Sequence, residues 1–151
     1  MKLVQGRLGI EVSPRAKAAI SQAALASQDG NETGGLLLGR DPENTGSIEV
    51  VRAAGPGPRA TRKPGYFLRD LIYSQRLARL AYEREGLQWI GDWHTHPKGP
   101  AHPSTSDVAV YARHLSDRDL DFEAFVAIIV TPHEEHGWDE CRLNKFVYQA
   151  R

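Results

Sequence analysis

Sulfur is scarce in this chain: of 151 residues, one is cysteine and one is methionine. A lone thiol, Cys141, closes no internal disulfide, which removes the secreted disulfide scaffolds and points to a reducing compartment, the cytoplasm. Its strand-like surroundings suggest a buried thiol rather than a nucleophile. Long apolar runs are missing too. The longest, Phe125–Val130, falls far short of the roughly 20 residues a membrane helix needs. The first residues carry no signal-peptide core, so no membrane contact is expected. Neither sign of charge is in excess, because 19 Lys and Arg meet 19 Asp and Glu. With no overall positive field, nucleic acid is not an expected partner. Repeats and low-complexity tracts are absent, and a chain this long with 40% hydrophobic residues suits a single domain, 1–151, around one core.

What the chain does have is concentrated between Leu87 and Asp107. The stretch Leu87-Gln88-Trp89-Ile90-Gly91-Asp92-Trp93 reads as a strand running into His94-Thr95-His96. Alternate strand residues share a face, so the two imidazoles point the same way, roughly 6 to 7 Å apart along the strand. Pro97, Gly99, Pro100 and Pro103 then force a turn. The turn delivers Ser104-Thr105-Ser106-Asp107 to the start of an apolar-periodic helix, Val108 to Leu115. A carboxylate in the first turn is favoured there by the helix dipole. His94, His96 and Asp107 thus form a candidate metal site. Two imidazoles, a carboxylate and a fourth position for water is the pattern of a catalytic zinc centre. The same ligand types also form the facial triad of non-haem iron, which elemental analysis distinguishes.

Ser104-x-x-Asp107 is equally a capping box, in which the serine and the acid satisfy free amides of the helix. Capping and coordination can coexist, since a ligand benefits from a rigid mount. Asp92 shares the face of the histidines and reads either as a carboxylate orienting an imidazole or as a solvated strand residue. His114, seven after Asp107, either approaches the site along the helix or packs against the body. His102 reads as a solvated loop residue. His133 and His136 bracket Glu134-Glu135 between two apolar runs and read as a hairpin turn, not a His-Glu-x-x-His helix.

The element order completes the expectation. Leu3 to Val12 reads as a first strand. Ser13-Pro14 gives a cap and a first-turn proline for an Ala-rich helix to Gln28. Gly35–Gly39 and Ile48–Ala54 read as strands paired across a polar turn at 41–46. Asp70–Glu85 keeps helical spacing through Tyr73, Leu77, Leu80 and Ala81. Phe122–Thr131 and Cys141–Gln149 supply the last strands. A mixed sheet flanked by helices, a three-layer α/β/α domain of the α/β class, follows. Residues 55–65, from Gly55-Pro56-Gly57-Pro58 to Pro64-Gly65, read as a stiff basic loop. Arg59, Arg62 and Lys63 there either guide an extended substrate segment or are solvated.

His94-x-His96, seven residues, then Ser104-x-x-Asp107 resembles the signature of the JAMM metalloproteases, the JAB/MPN-domain family. Upstream, that family has a glutamate before a Gly-rich strand, and this chain has Glu32-Thr33-Gly34-Gly35-Leu36-Leu37-Leu38-Gly39. The resemblance covers residues 32 to 107. It implies a JAB/MPN fold similar to that of zinc deaminases, one Zn2+ held by His94, His96 and Asp107, Glu32 as general base, and Ser104 assisting at the oxyanion. On composition alone Asp29-Gly30-Asn31-Glu32 is a turn, and Glu32 a loop carboxylate. The deaminase reaction itself is excluded, because its cysteine ligands are missing.

The resemblance further implies a peptidase or isopeptidase that cleaves after the C-terminus of a ubiquitin-like protein, by deconjugation or by precursor processing. The compact form looks similar to bacterial stand-alone JAB proteins associated with ubiquitin-like conjugation and anti-phage signalling. Activating and conjugating enzymes of such a system are the implied further partners. Two alternatives stand beside it. One is a RadC-like JAB protein of DNA-repair contexts, against which the balanced charge argues. The other is a non-catalytic MPN scaffold, in which ligands are usually lost, whereas here all are present.

Overall fold

The structure is a computed structural model that describes residues 3–6, 8–40 and 46–150. Its strands are β1 (Leu3–Gln5), β2 (Gly9–Val12), β3 (Gly34–Arg40), β4 (Ser47–Ala53), β5 (Thr61–Lys63), β6 (Tyr66–Leu68), β7 (Gln88–Thr95), β8 (Ala124–His133) and β9 (Gly137–Ala150). Its helices are α1 (Pro14–Ala26), α2 (Leu71–Glu85) and α3 (Thr105–Ser116). Seven strands form one sheet in the order β1-β9-β8-β7-β3-β4-β2, and β5 and β6 form a separate hairpin. The pairs β2–β4 and β7–β8 are parallel and the others antiparallel, so the sheet is mixed.

Both faces of the sheet are covered, which is why β8 reads as an unbroken apolar run. Val126, Ile128 and Val130 pack with Ala16, Ile20 and Ala24 of α1. Phe125 and Ala127, which alternate with them along the strand, pack with Tyr111 and Leu115 of α3. Ala81 of α2 meets Leu38 and Leu87. The expected three-layer arrangement is therefore present, with α1 on one face and α2 and α3 on the other.

Local chemistry sets the helix ends as expected. Ser13 Oγ accepts from the Ala16 amide at 3.0 Å with Pro14 following. Asp70 caps α2 through the Tyr73 amide at 3.1 Å. Gly86 ends α2 in the left-handed region, φ 67°, where glycine carries no Cβ penalty.

Two expectations are corrected. Leu3 to Val12 is not one strand. Its first part pairs antiparallel with β9 and its second part runs parallel to β4, at opposite rims of the sheet. Alternation of apolar residues continues through the break, so nothing local marks it. The chain leaves β9 at Gly6, whose amide donates to the Val147 carbonyl at 2.7 Å. The split also shows that the sheet is curled. Seven strands laid flat would separate the rims by about 29 Å, whereas the four steps from Gln5 to Gly9 reach at most about 14 Å. The second correction concerns 55–65, which is not wholly a loop: residues 61–63 enter a hairpin with residues 66–68. The expected turn at 41–46 lies outside the described residues up to residue 45.

β7 occupies the middle of the sheet between β3 and β8. The register against β3 slips between Leu37 and Leu38, a bulge that lets Trp89 and Asp92 meet on one side, with Trp89 Nε1 3.2 Å from Asp92 Oδ1. Close approach of β7 to β8 requires Gly91, where a Cβ would lie 1.8 Å from the Val126 carbonyl oxygen. Gly91→Ala is expected to lower stability by at least about 1–3 kcal/mol, checked by thermal or denaturant unfolding. A wild-type midpoint would mean the two strands can part without cost.

Candidate metal centre

The end of β7 and the start of α3 build the centre. His94 and His96 are 7% and 6% exposed, and their Nε2 atoms stand 3.0 Å apart. Asp107 Oδ2 lies 3.3 Å from each of them. Zinc bonds of about 2.0–2.2 Å put neighbouring donors of a tetrahedron about 3.3 Å apart, so the triangle has the size that one ion needs. His96 Nδ1 is 2.8 Å from the Pro100 carbonyl oxygen. A carbonyl only accepts, so a ring proton sits on Nδ1, and Nε2 is the nitrogen turned toward Asp107 and His94, where an ion would take the place of any second proton. Gly99 permits this turn, since a Cβ there would already be 3.1 Å from His96 Cβ. His94, His96 and Asp107 are thus positioned to bind a metal.

The capping box is present as well, and it uses the same atom. Ser104 Oγ accepts from the Asp107 amide at 3.1 Å, while the Ser104 amide donates to Asp107 Oδ2 at 2.8 Å. The cap holds the carboxylate at the end of the loop and leaves its remaining electron density toward the two rings. Burial opposes ionisation of Asp107, but hydrogen bonds from His94, His96 and the Ser104 amide outweigh it and hold the carboxyl well below the usual range. Ser104 is exposed, and its hydroxyl proton is not consumed by the cap, in which Oγ is the acceptor.

Glu32 lines the same cavity as the three residues. Burial raises its pKa above the ordinary glutamate value, with the rings of His94 and His96 opposing that and Asp107 adding to it. Its mount is two-sided. The Thr33 amide donates to Thr95 Oγ1 at 2.9 Å, and the Thr95 amide donates to the Thr33 carbonyl at 2.8 Å. The residue between the two histidines therefore ties the Glu32 segment to the metal strand, a role sequence inspection passes over because Thr95 points away from the ligands. Gly34, opposite His94, has no room for a side chain: a Cβ would come within 2.2 Å of the Trp93 carbonyl oxygen.

The cavity, about 750 Å³, has β7 and the start of β3 as its floor, α3 as one wall and β6 with the start of α2 as the other. Exposed Tyr66, Leu68 and Leu71 line that second wall. Asp92 also lines the cavity but orients no imidazole. It pairs with Arg69 at 3.2 Å and receives Trp89 Nε1, while Arg69 lies over the Trp89 ring. His114 does not reach the ligands. It packs against Trp89 and Phe125, with ring centroids 5.2 and 5.4 Å away, and burial lowers its pKa. His102 is an exposed loop residue, as expected. Arg62 is committed to Asp29, so its guanidinium is held by the protein and is not free to guide a substrate segment, while Arg59 is held by its backbone amide, which donates to Asp70 at 3.0 Å. Cys141 is half-buried, its Sγ 3.6 Å from Ser21 Oγ.

A second cluster, His133, His136 and Glu140, stands at the β8–β9 turn. His133 Nδ1 accepts the amides of Glu135 and His136 at 3.1 and 3.2 Å. The neutral ring then carries its proton on Nε2, and neither nitrogen has a free lone pair for an ion.

With this geometry in hand, three comparisons bear on the chain. Residues 14–144 match the family described as prokaryotic homologs of the JAB domain. A protein of Enterobacter hormaechei subsp. hoffmannii (strain UCI 50) named CD-NTase/cGAS isopeptidase is 35% identical over 83 residues, covering 51% of this chain. The match covers 42% of that protein, so this chain spans less than half the length of that curated relative. The solution structure of protein DSY2949 from Desulfitobacterium hafniense superposes with a TM-score of 0.63 and 22% identity, over 91% of this chain and 83% of that one. That likeness is one of fold. No helix among the described residues is long and apolar enough to cross a membrane.

Proposed function

This chain belongs to the prokaryotic JAB family, and on that premise we propose that it is a zinc-dependent isopeptidase. It acts as one domain that removes a ubiquitin-like protein from its conjugates by cutting after that protein's C-terminus. The observation that carries this reading is the convergence of His94 Nε2, His96 Nε2 and Asp107 Oδ2, 3.0–3.3 Å apart, in one cavity with Glu32. The isopeptidase name of the Enterobacter relative supports deconjugation over precursor processing. The chain's place, in this reading, is beside the activating and conjugating enzymes of a bacterial anti-phage system.

When bound, zinc supplies a Lewis acid and a water whose pKa falls to about 7. The chain's own residues supply the rest. Glu32 takes the proton of the attacking water and returns it to the leaving amine. Ser104, whose hydroxyl proton is unspent, donates to the oxyanion that develops on the carbonyl. Exposed Tyr66, Leu68 and Leu71 give the substrate an apolar wall along the groove.

The test is direct. Purified protein is analysed for bound metal, then assayed on ubiquitin-like proteins fused or isopeptide-linked through their C-termini, before and after chelation and zinc restoration. Cleavage that follows zinc supports the proposal. Predominant iron with oxidase activity, or zinc-loaded protein inert on every such linkage, overturns it.

Acid is expected to release the metal. Burial lowers the His96 pKa, but the Asp107 carboxylate beside it more than compensates, so the net shift is upward. Protons therefore compete for Nε2 from above the ordinary imidazole range, and zinc retention should be complete in mild alkali and fall as pH drops through neutrality. Chelator competition across pH measures this. Retention unchanged at mildly acid pH would remove His96 from the ligand set.

A further inference from the structure

The Glu32 turn is fastened to the hairpin by one side chain. Gly30 adopts φ 78°, which lets Asp29 fold back so that its Oδ1 accepts the Asn31 amide at 3.1 Å. Both Asp29 oxygens then receive the Arg62 guanidinium, at 2.9 and 3.0 Å. This two-pronged contact fixes the plane of the guanidinium, and it holds the Asp29 carboxyl below its ordinary pKa. The plane so fixed aims Arg62 Nε at the Glu32 carbonyl, 3.1 Å away. The next residue completes the clamp, because the Glu32 amide donates to the Lys63 carbonyl at 2.9 Å. Both peptide groups of Glu32 are therefore held by consecutive residues of β5, while Thr33 is held by Thr95 of the metal strand.

We propose that Arg62 is the positioning residue for Glu32, and that hairpin 61–68, whose other strand walls the cavity, sets where the carboxylate reaches. This rests on the reading of Glu32 as the general base. A purely structural role for the pair is a poor account of it. The Arg62 and Asp29 side chains are 24% and 47% exposed, and ion pairs so placed add little to stability. What distinguishes this pair is its third bond, to the backbone of Glu32 itself.

The experiment compares zinc-loaded wild type, Arg62→Ala, Arg62→Lys, Glu32→Gln and the double variant Arg62→Ala/Glu32→Gln. Arg62→Ala should lower kcat by about 10- to 100-fold, with KM and metal content within about twofold of wild type. In the Glu32→Gln background it should cost nothing further, because its effect passes through that carboxylate. Arg62→Lys keeps the charge but not the fork with its third donor, and should stay impaired. Losses that multiply in the double variant, full rescue by lysine, or loss of zinc would each overturn the proposal.

Amide hydrogen exchange reads the clamp without substrate. In Arg62→Ala the Glu32 amide should exchange faster while the Thr33 amide, bonded to Thr95, keeps its wild-type rate. Unchanged exchange at Glu32 overturns the proposal whatever the activity shows. Should wild type cleave no ubiquitin-like linkage, the functional reading falls on that result, and exchange still decides the clamp.

Discussion

Asp107→Ala should remove the metal, one of the two bonds of the helix capping box and cleavage together. Oδ2 of this residue faces both imidazoles and also accepts the Ser104 amide, so a single truncation withdraws a ligand and frees a backbone donor. Zinc content should fall to background and turnover below detection. Loss of that hydrogen bond should cost about 0.5–1.5 kcal/mol, seen as a lower melting temperature even in chelator. Asp107→Asn separates the two roles. An amide oxygen still accepts the Ser104 amide but brings no negative charge to the ion, so this variant should melt close to metal-free wild type while binding zinc poorly. Stoichiometric zinc in Asp107→Ala would take the residue out of the ligand set.

Glu32→Gln should behave in the opposite way, with zinc kept and turnover lost. A positioned base contributes roughly 10²–10⁴-fold, and glutamine accepts no proton, so kcat should drop by that range while metal content stays at one per chain. Loss of metal would make Glu32 a ligand instead. The pH dependence carries a sign. Burial raises the Glu32 pKa above the ordinary glutamate value in the metal-free protein, and a base works only when deprotonated. Wild-type turnover should therefore decline as pH falls through that group's pKa, and Glu32→Gln should lose this dependence. A bound dication acts in the opposite sense to burial. Carboxyl NMR should accordingly show Glu32 titrating higher without zinc than with it.

Much of this centre was legible because it is local. Two ligands alternate on one strand and the third opens the next helix, so periodicity and turn residues alone bring them together. The same holds for β8, whose unbroken apolar run announced a strand covered on both sides. Glu32 was a different case. Its partners lie far along the chain, Thr33 bonding to Thr95 across 62 positions, and only family resemblance distinguished it from a turn carboxylate. The place of Arg62 is hidden in the sequence for the same reason. In sequence it is one of several cations in a Gly-Pro-rich stretch, while its bond to Asp29 spans 33 positions. Asp92 sat on the expected face, yet a bulge upstream delivered Trp89 and Arg69 to it in place of an imidazole. The split of the first strand was hidden because each half is chosen by a rim of the sheet, and the rims are made of residues remote from it.

That split has a mechanical consequence. A short stretch near the start of the chain is stitched into both outermost staves of the sheet and works as a hoop, so neither can swing outward without stretching it. The strand bearing His94 stands midway between them, three neighbours in from either side. Jostling from solvent at the periphery must cross that whole width to disturb a triangle of donors whose tolerance is a few tenths of an ångström.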